Sequence, residues 1–221
     1  DHVAIRVTDR DALAAELIDA LDIQEIERTD RLTLLGPSFT AGKITLLDAP
    51  AGCEPNASRI ISLVLAAGAG RAADAPLVLS CGLVITFQGA ADTDDDARIV
   101  SSPRHGLIGI ALRSDDPPIT ATLLEAEYGM RANAIGSDSA SLTCGDSASG
   151  GGLITLVRER AQRTHTADAS IISILDHIGI RVDDARAWHT YAERAGLAIE
   201  RWVDAAHSRA TFLNGPDDLL I

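Results

Sequence analysis

A seven-residue signature occurs twice in this 221-residue chain and constrains its architecture more than any other feature. Asp1-His2-Val3-Ala4-Ile5-Arg6-Val7 returns as Asp176-His177-Ile178-Gly179-Ile180-Arg181-Val182. In both copies β-branched residues alternate with His and Arg, the pattern of a short strand with two unlike faces. A helix-start signal follows each copy. Thr8-Asp9 precedes a helical run over 12–21, and Asp183-Asp184 precedes one over 185–195 that stops at Gly196. Self-similarity on this scale means repeated modules that bury a shared core.

A third copy lies between them. Leu107-Ile108-Gly109-Ile110-Ala111-Leu112 matches the strand of the last copy, with Leu107 where His177 stands. Asp115-Asp116-Pro117-Pro118 then opens a helix through Tyr128, closed by Gly129. Three strand-like runs follow each helix: 24–28, 31–35 and 42–47; 131–135, 140–144 and 152–157; 198–203, 209–213 and 218–221. The unit is βαβββ. A degenerate copy fills the gap, with strands at 60–66, 77–80 and 82–87 and its helix reduced to a short stretch between Gly68 and Pro76. Three closing strands share a dipeptide, Ile44-Thr45, Ile85-Thr86 and Ile154-Thr155. The expected fold class is α+β, with four βαβββ modules, the second degenerate, forming two cupped mixed sheets. Their spans are 1–57, 58–103, 104–158 and 171–221, with polar surface connections at 90–103 and 158–170.

Charge and composition narrow the partners. There are 32 acidic and 19 basic residues, a net charge of −13, and aromatics are only 3%. Such a field repels phosphate backbones and anionic lipid, and few rings are available for stacking on bases. A small-molecule partner is expected, not nucleic acid or membrane, with a homodimer possible. Cys53, Cys81 and Cys144 form no C-x-x-C pair, and an odd count argues against a disulfide framework. A reducing cytoplasm fits best. The apolar stretches 60–67 and 76–87 are too short to span a membrane, and nothing at the start reads as a signal peptide. The sequence opens at Asp1 without methionine and stops at Ile221 within an apolar run, so a few more residues are expected at each end.

Tandem βαβββ modules whose first strand opens with D-H-[VI]-[AG]-I-R-V resemble the vicinal oxygen chelate superfamily. That group includes glyoxalase I, bleomycin-resistance proteins, methylmalonyl-CoA epimerase and the extradiol dioxygenases. The resemblance implies that two modules pair, so that their strands curl into a cup around a metal. Ligands come from the first and last strands of each module. The first-strand positions here are His2, Ser62, Leu107 and His177; the last-strand positions are Thr45, Thr86, Thr155 and the residue after Ile221. Residues 215–221 are similar to the D-P-x-G-x-x-x-E turn of the dioxygenases, with Gly215 for the aspartate and Asp218 for the glycine. A glutamate is therefore expected after Ile221. If module one pairs with four and two with three, His2, His177 and that carboxylate converge. This is the two-His-one-carboxylate set that holds Fe(II) or Mn(II) with open positions. Pairing between sequence neighbours leaves neither site complete.

Each candidate has a plainer alternative. His2 and His177 are the metal candidates; otherwise they are strand-start imidazoles bonded to nearby backbone. Arg6 and Arg181 follow four residues on, on the same face. They are the substrate-binding candidates for a carboxylate or phenolate; otherwise they pair with Asp9 and Asp184. His207, upstream of the Gly215 turn, is the catalytic acid–base candidate implied by the resemblance; otherwise it is a solvated loop histidine, and Phe212 stands where a tyrosine is usual. His105 and His165 read as surface residues. Cys81 and Cys144 read as small hydrophobes in strands, and Glu127 and Tyr128 as helix-closing residues with no further role. The aspartates at 92–96 lack the glycine and glutamate of a calcium loop. The expected function is a metal-dependent vicinal oxygen chelate enzyme, most like an extradiol-type dioxygenase. Its cofactor is a divalent metal, Fe(II) or Mn(II), or none. The alternatives are a metal-free binding protein of the bleomycin-resistance type and a glyoxalase-like lyase.

Overall fold

Local signals place the helices. The Asp9 carboxylate accepts from the Ala12 N–H and starts α1 (Arg10–Leu21), which Asp22 ends in the left-handed region at φ 50°. Asp116 and the Pro117-Pro118 pair open α2 (Pro117–Tyr128), and Gly129 closes it at φ 66°. Asp184 accepts from the Arg186 and Ala187 N–H groups at the start of α3 (Ala185–Ala195), which Gly196 closes at φ 71°. The computed structural model describes residues 2–37, 42–56, 59–66, 75–88, 107–144, 152–158, 171–205 and 208–221.

Sixteen strands surround these helices among the described residues. Before and after α1 come β1 (His2–Val7), β2 (Gln24–Arg28), β3 (Leu32–Gly36), β4 (Lys43–Asp48) and β5 (Glu54–Asn56). Next are β6 (Ile60–Ala66), β7 (Leu77–Val78) and β8 (Val84–Gln88). Flanking α2 are β9 (Leu107–Ser114), β10 (Arg131–Ile135), β11 (Ser139–Cys144) and β12 (Gly152–Arg158). The last group is β13 (Ile171–Ser173), β14 (Leu175–Gly179), β15 (Ile199–Ala205) and β16 (Ser208–Leu213).

The fold is α+β with mixed sheets. One sheet has the order β2-β3-β4-β1-β14, with β1 parallel to β4 and antiparallel to β14. A larger one runs β10-β11-β12-β9-β6-β8-β7, where β9 is parallel to β12, β6 parallel to β8, and β6 antiparallel to β9. The hairpin β15-β16 is tied to the first sheet through residues 219–221. Ile178 N–H donates to the Leu220 carbonyl at 2.9 Å, while Leu213 and Ile221 exchange bonds of 2.8 and 2.9 Å. One continuous core joins Val3, Ile5, Leu17, Leu21 and Leu46 of the first sheet and its helix to Leu63, Ile85, Leu112, Leu124 and Leu142 of the second. Each fully buried leucine or isoleucine contributes roughly 1.5–3 kcal/mol. Helix α3 is the exception, with only Ala192 buried.

Several sequence expectations are corrected. Residues 216–218 form a single 3₁₀ turn, with Asp217 and Asp218 at φ 54° and 53°, so the strand expected at 218–221 shrinks to a bridge between Asn214 and Leu220. Strand β14 ends at Gly179, short of the expected 182. Cys81 lies exposed in the turn before β8 and not in a strand, whereas Cys144 is buried in β11. The short parallel pair β5 and β13 had no sequence signal. The degenerate module's expected helix, near 68–76, falls almost entirely outside the described residues.

Candidate functional site

Alternation in β1 sends Val3, Ile5 and Val7 into the core and leaves His2, Ala4 and Arg6 on the opposite face. Antiparallel register then sets Ala4 opposite His177 and Gly179 opposite His2. The two imidazoles meet edge to face, with ring centroids 5.1 Å apart at 88° and their Nε2 atoms 3.0 Å apart. The small residue two positions after each histidine makes room for the other ring. A Cβ on Gly179 would lie 2.1 Å from Cε1 of His2, so no side chain fits there while His2 keeps its place.

A β-bulge supplies the third member. Register shifts between Ala4 and Ile5, so Ile178, His177 and Leu175 have partners on β1 and Asp176 is skipped. The extra residue is re-aimed, as bulges do. The Asp176 carboxylate accepts from His177 Nδ1–H at 2.6 Å and forms an ion pair with Arg6, its side chain only 4% exposed. Burial alone would raise this carboxyl, but the His177 hydrogen bond and the charges of His177 and Arg6 hold it below its ordinary range. Among the described residues Arg6 pairs with Asp176 in place of the expected Asp9, and Asp9 and Asp184 each cap a helix.

These bonds fix the chemistry of the pair. With Nδ1–H donated to the Asp176 carboxylate, the uncharged His177 ring leaves its Nε2 bare, and that nitrogen lies 3.0 Å from His2 Nε2. Burial, and next the charge of His177, push the His2 pKa down to about 3. His2 is therefore neutral at physiological pH, the state a metal requires of imidazole. Two nitrogens bound cis to one six-coordinate ion at about 2.1 Å stand about 3.0 Å apart. The donor types, their spacing and the carboxylate brace are those that could hold a divalent ion through His2 and His177. Among the described residues no group of three His, Cys, Asp or Glu side chains could hold one.

A cavity of about 420 Å³ opens beside the pair. Ile180, Trp188, Phe212, Leu213 and Ile221 give it an apolar wall; Lys43, Arg181 and Arg209 give it charge. Phe212 stands edge-on to His177 at 5.2 Å, with the Arg201 guanidinium 4.0 Å over its face. Arg181 lies in this lining and Arg6 does not. His207, His105 and His165 fall outside the described residues. The would-be ligand positions of the larger sheet hold no metal donor of this kind: Ser62 Oγ and Thr86 Oγ1 are 3.3 Å apart, and Leu107 and Thr155 complete the set.

Sequence reasoning passed over Asp176, Lys43 and Tyr128. The recurring Asp-His dipeptide was a usable signal for Asp176. Lys43 enters because it is the cross-strand partner of His2. Tyr128 lines the cavity and donates its hydroxyl to the Asn214 carbonyl at 3.2 Å, so the helix-closing role assigned to it was incomplete.

No protein-family model matches the sequence, and no curated protein matches it. Solved structures do match in shape. A Bacillus subtilis protein described as a dioxygenase superposes with a TM-score of 0.67 at 13% identity, covering 99% of this chain and 82% of that one. Glyoxalase I of Zea mays gives 0.65 at 13% identity, covering 99% and 89%. The cppA protein of Streptococcus pneumoniae gives 0.57 at 11% identity, covering 99% and 95%. The chain therefore shares the fold of these dioxygenase and glyoxalase I structures.

Proposed function

We propose that this chain is a metal-dependent enzyme of the vicinal oxygen chelate type, with His2 and His177 as two protein ligands of Fe(II) or Mn(II). The observation that carries this reading is the 3.0 Å approach of two Nε2 atoms from residues 175 positions apart. Asp176 behind His177 supports it, because a carboxylate that orients an imidazole and raises its basicity is the usual second layer of a metal site. An ion held there would act as a Lewis acid on two neighbouring oxygens of a small substrate. The protein's own residues hold His177 in one tautomer through Asp176, keep His2 neutral, and wall the cup with apolar side chains that limit water. In this reading modules one and four form the working half and modules two and three a second glyoxalase-like half without ligands. Dioxygenation of the extradiol kind is the finer proposal, supported by the ligand types and by the fold shared with the B. subtilis protein. A second reading, a metal-free binder that sequesters a small molecule, draws on the Ser62–Thr86 contact where ligands would stand in the other sheet.

Anaerobic purification followed by metal analysis separates the two. About one iron or manganese per chain, lost in a His2→Ala, His177→Ala double variant, is the result expected of a two-histidine site. Metal-free protein after reconstitution with either ion removes the enzyme reading and leaves the binder.

A further inference from the structure

The repeated signature holds three polar residue types in one order, Asp-His followed four residues later by Arg. The fold joins them across the two copies. The Arg6 guanidinium of the first copy forms its ion pair with Oδ1 of Asp176 in the last. Oδ2 of the same buried carboxylate accepts from His177 Nδ1–H at 2.6 Å. Strand β1 carries His2 and Arg6 on one face, so it supplies one imidazole of the pair directly and braces the other from behind. The bulge makes this reach possible. Arg6 N–H donates to the Ile174 carbonyl at 2.7 Å, past the skipped Asp176, and so anchors the backbone that carries the guanidinium. A carboxylate turns readily about its last torsion, whose wells are broad. With a partner on each oxygen its plane is set, and the imidazole bonded to it is set as well. Phe212 stands edge-on to the His177 ring at 5.2 Å and limits its tilt, but an apolar ring does not decide which nitrogen carries the proton.

We propose that Arg6 is a positioning residue: through Asp176 it holds His177 in the tautomer whose bare Nε2 faces His2. Arg6 then serves the imidazole pair and not the substrate, unlike the role its place in the signature suggested. This hold on His177 stands with or without a metal; only its effect on a divalent ion rests on the reading of the pair as metal ligands. In sequence Asp1 and Arg181 occupy the corresponding places of the two copies, Asp1 lying outside the described residues.

The test is nitrogen-15 NMR of the imidazoles in the full, chelator-treated chain, since protonated and bare ring nitrogens resonate far apart. His177 should show a single Nδ1–H tautomer in the unaltered protein and a mixture of two in Arg6→Met. Arg6→Lys, which keeps a cationic donor for Asp176, should restore most of the single form. Affinity for Mn(II) alone should fall about tenfold in Arg6→Met and recover in Arg6→Lys, the lower end of what losing an outer partner costs. Melting curves establish that the variants fold. Where Arg6→Met does not, Arg6→Gln takes its place: a neutral amide keeps the carboxylate hydrogen-bonded but holds it less firmly than a charged donor, so a second tautomer is still expected. A folded Arg6→Met or Arg6→Gln in which His177 keeps one Nδ1–H tautomer, or a mixture that Arg6→Lys does not lessen, overturns the positioning role and leaves an ion pair that only stabilises the fold. No Mn(II) binding by the unaltered chain removes the metal reading alone, because the tautomer is read without metal.

Discussion

His2 carries the clearest consequence at the scale of single residues. Burial and the neighbouring imidazole lower its pKa from 6.5 to about 3. Between those values the unfolded chain takes up a proton that the native site refuses. Stability is therefore full above pH 6.5 and falls as the pH drops towards 3, by up to about 1.4 kcal/mol per pH unit. Asp176, held below the ordinary carboxylate range, adds a further loss only at the acid end. Urea unfolding of chelator-treated protein from pH 7.5 to 4 should show this slope, and His2→Gln should flatten it. Equal slopes would mean that His2 titrates normally. The two histidines were legible in the sequence because they recur at one repeat position. Asp176 was not, because its role depends on a bulge that only the partner strand reveals. Nor was Gly179 legible as a space for His2, since that requires knowing which residue lies across the ladder.

Among the elements, α3 is the least anchored. It buries Ala192 alone, while Trp188 and Tyr191 pair edge to face at 5.1 Å with Tyr191 largely exposed. The helix therefore depends on its cap more than α1 does, whose Leu13, Leu17 and Leu21 are buried. Asp184→Ala should remove hydrogen-exchange protection first at the Ala187 and Trp188 amides and leave those of β1 and β14 unchanged. Uniform loss across the chain would show that α3 opens only with the whole molecule. Caps and stops were readable because they are local chemistry: Asp9, Asp116, Asp184, Gly129 and Gly196 each do what their residue type favours. Strand ends were not, because a ladder ends where its partner does. Thus β2, β6 and β10 match the reading residue for residue, while β14 stops early and 218–221 turns before it extends.

Across the whole molecule, the loop at 214–218 ties the last module to α2. Asp217 accepts from Ser114 Oγ and Thr120 Oγ1, each at 2.7 Å and each from a buried side chain, and Tyr128 reaches Asn214 from the other end of the same helix. Asp217→Gly isolates these bonds, since glycine adopts φ 54° without strain. It should lower unfolding stability by about 1–3 kcal/mol in a urea titration with an unchanged m-value. A change below about 0.5 kcal/mol would mean that the contact contributes nothing net. The pairing of β1 with β14 carries another consequence, one of order in time. Strand β1 lies inside its sheet, flanked by β4 and β14. During synthesis β4 is complete by residue 48, whereas β14 begins only at Leu175. For most of translation one flank of β1 is a bare edge of amides and carbonyls, open to any strand that passes. The nascent chain waits longest for the neighbour that completes its histidine pair.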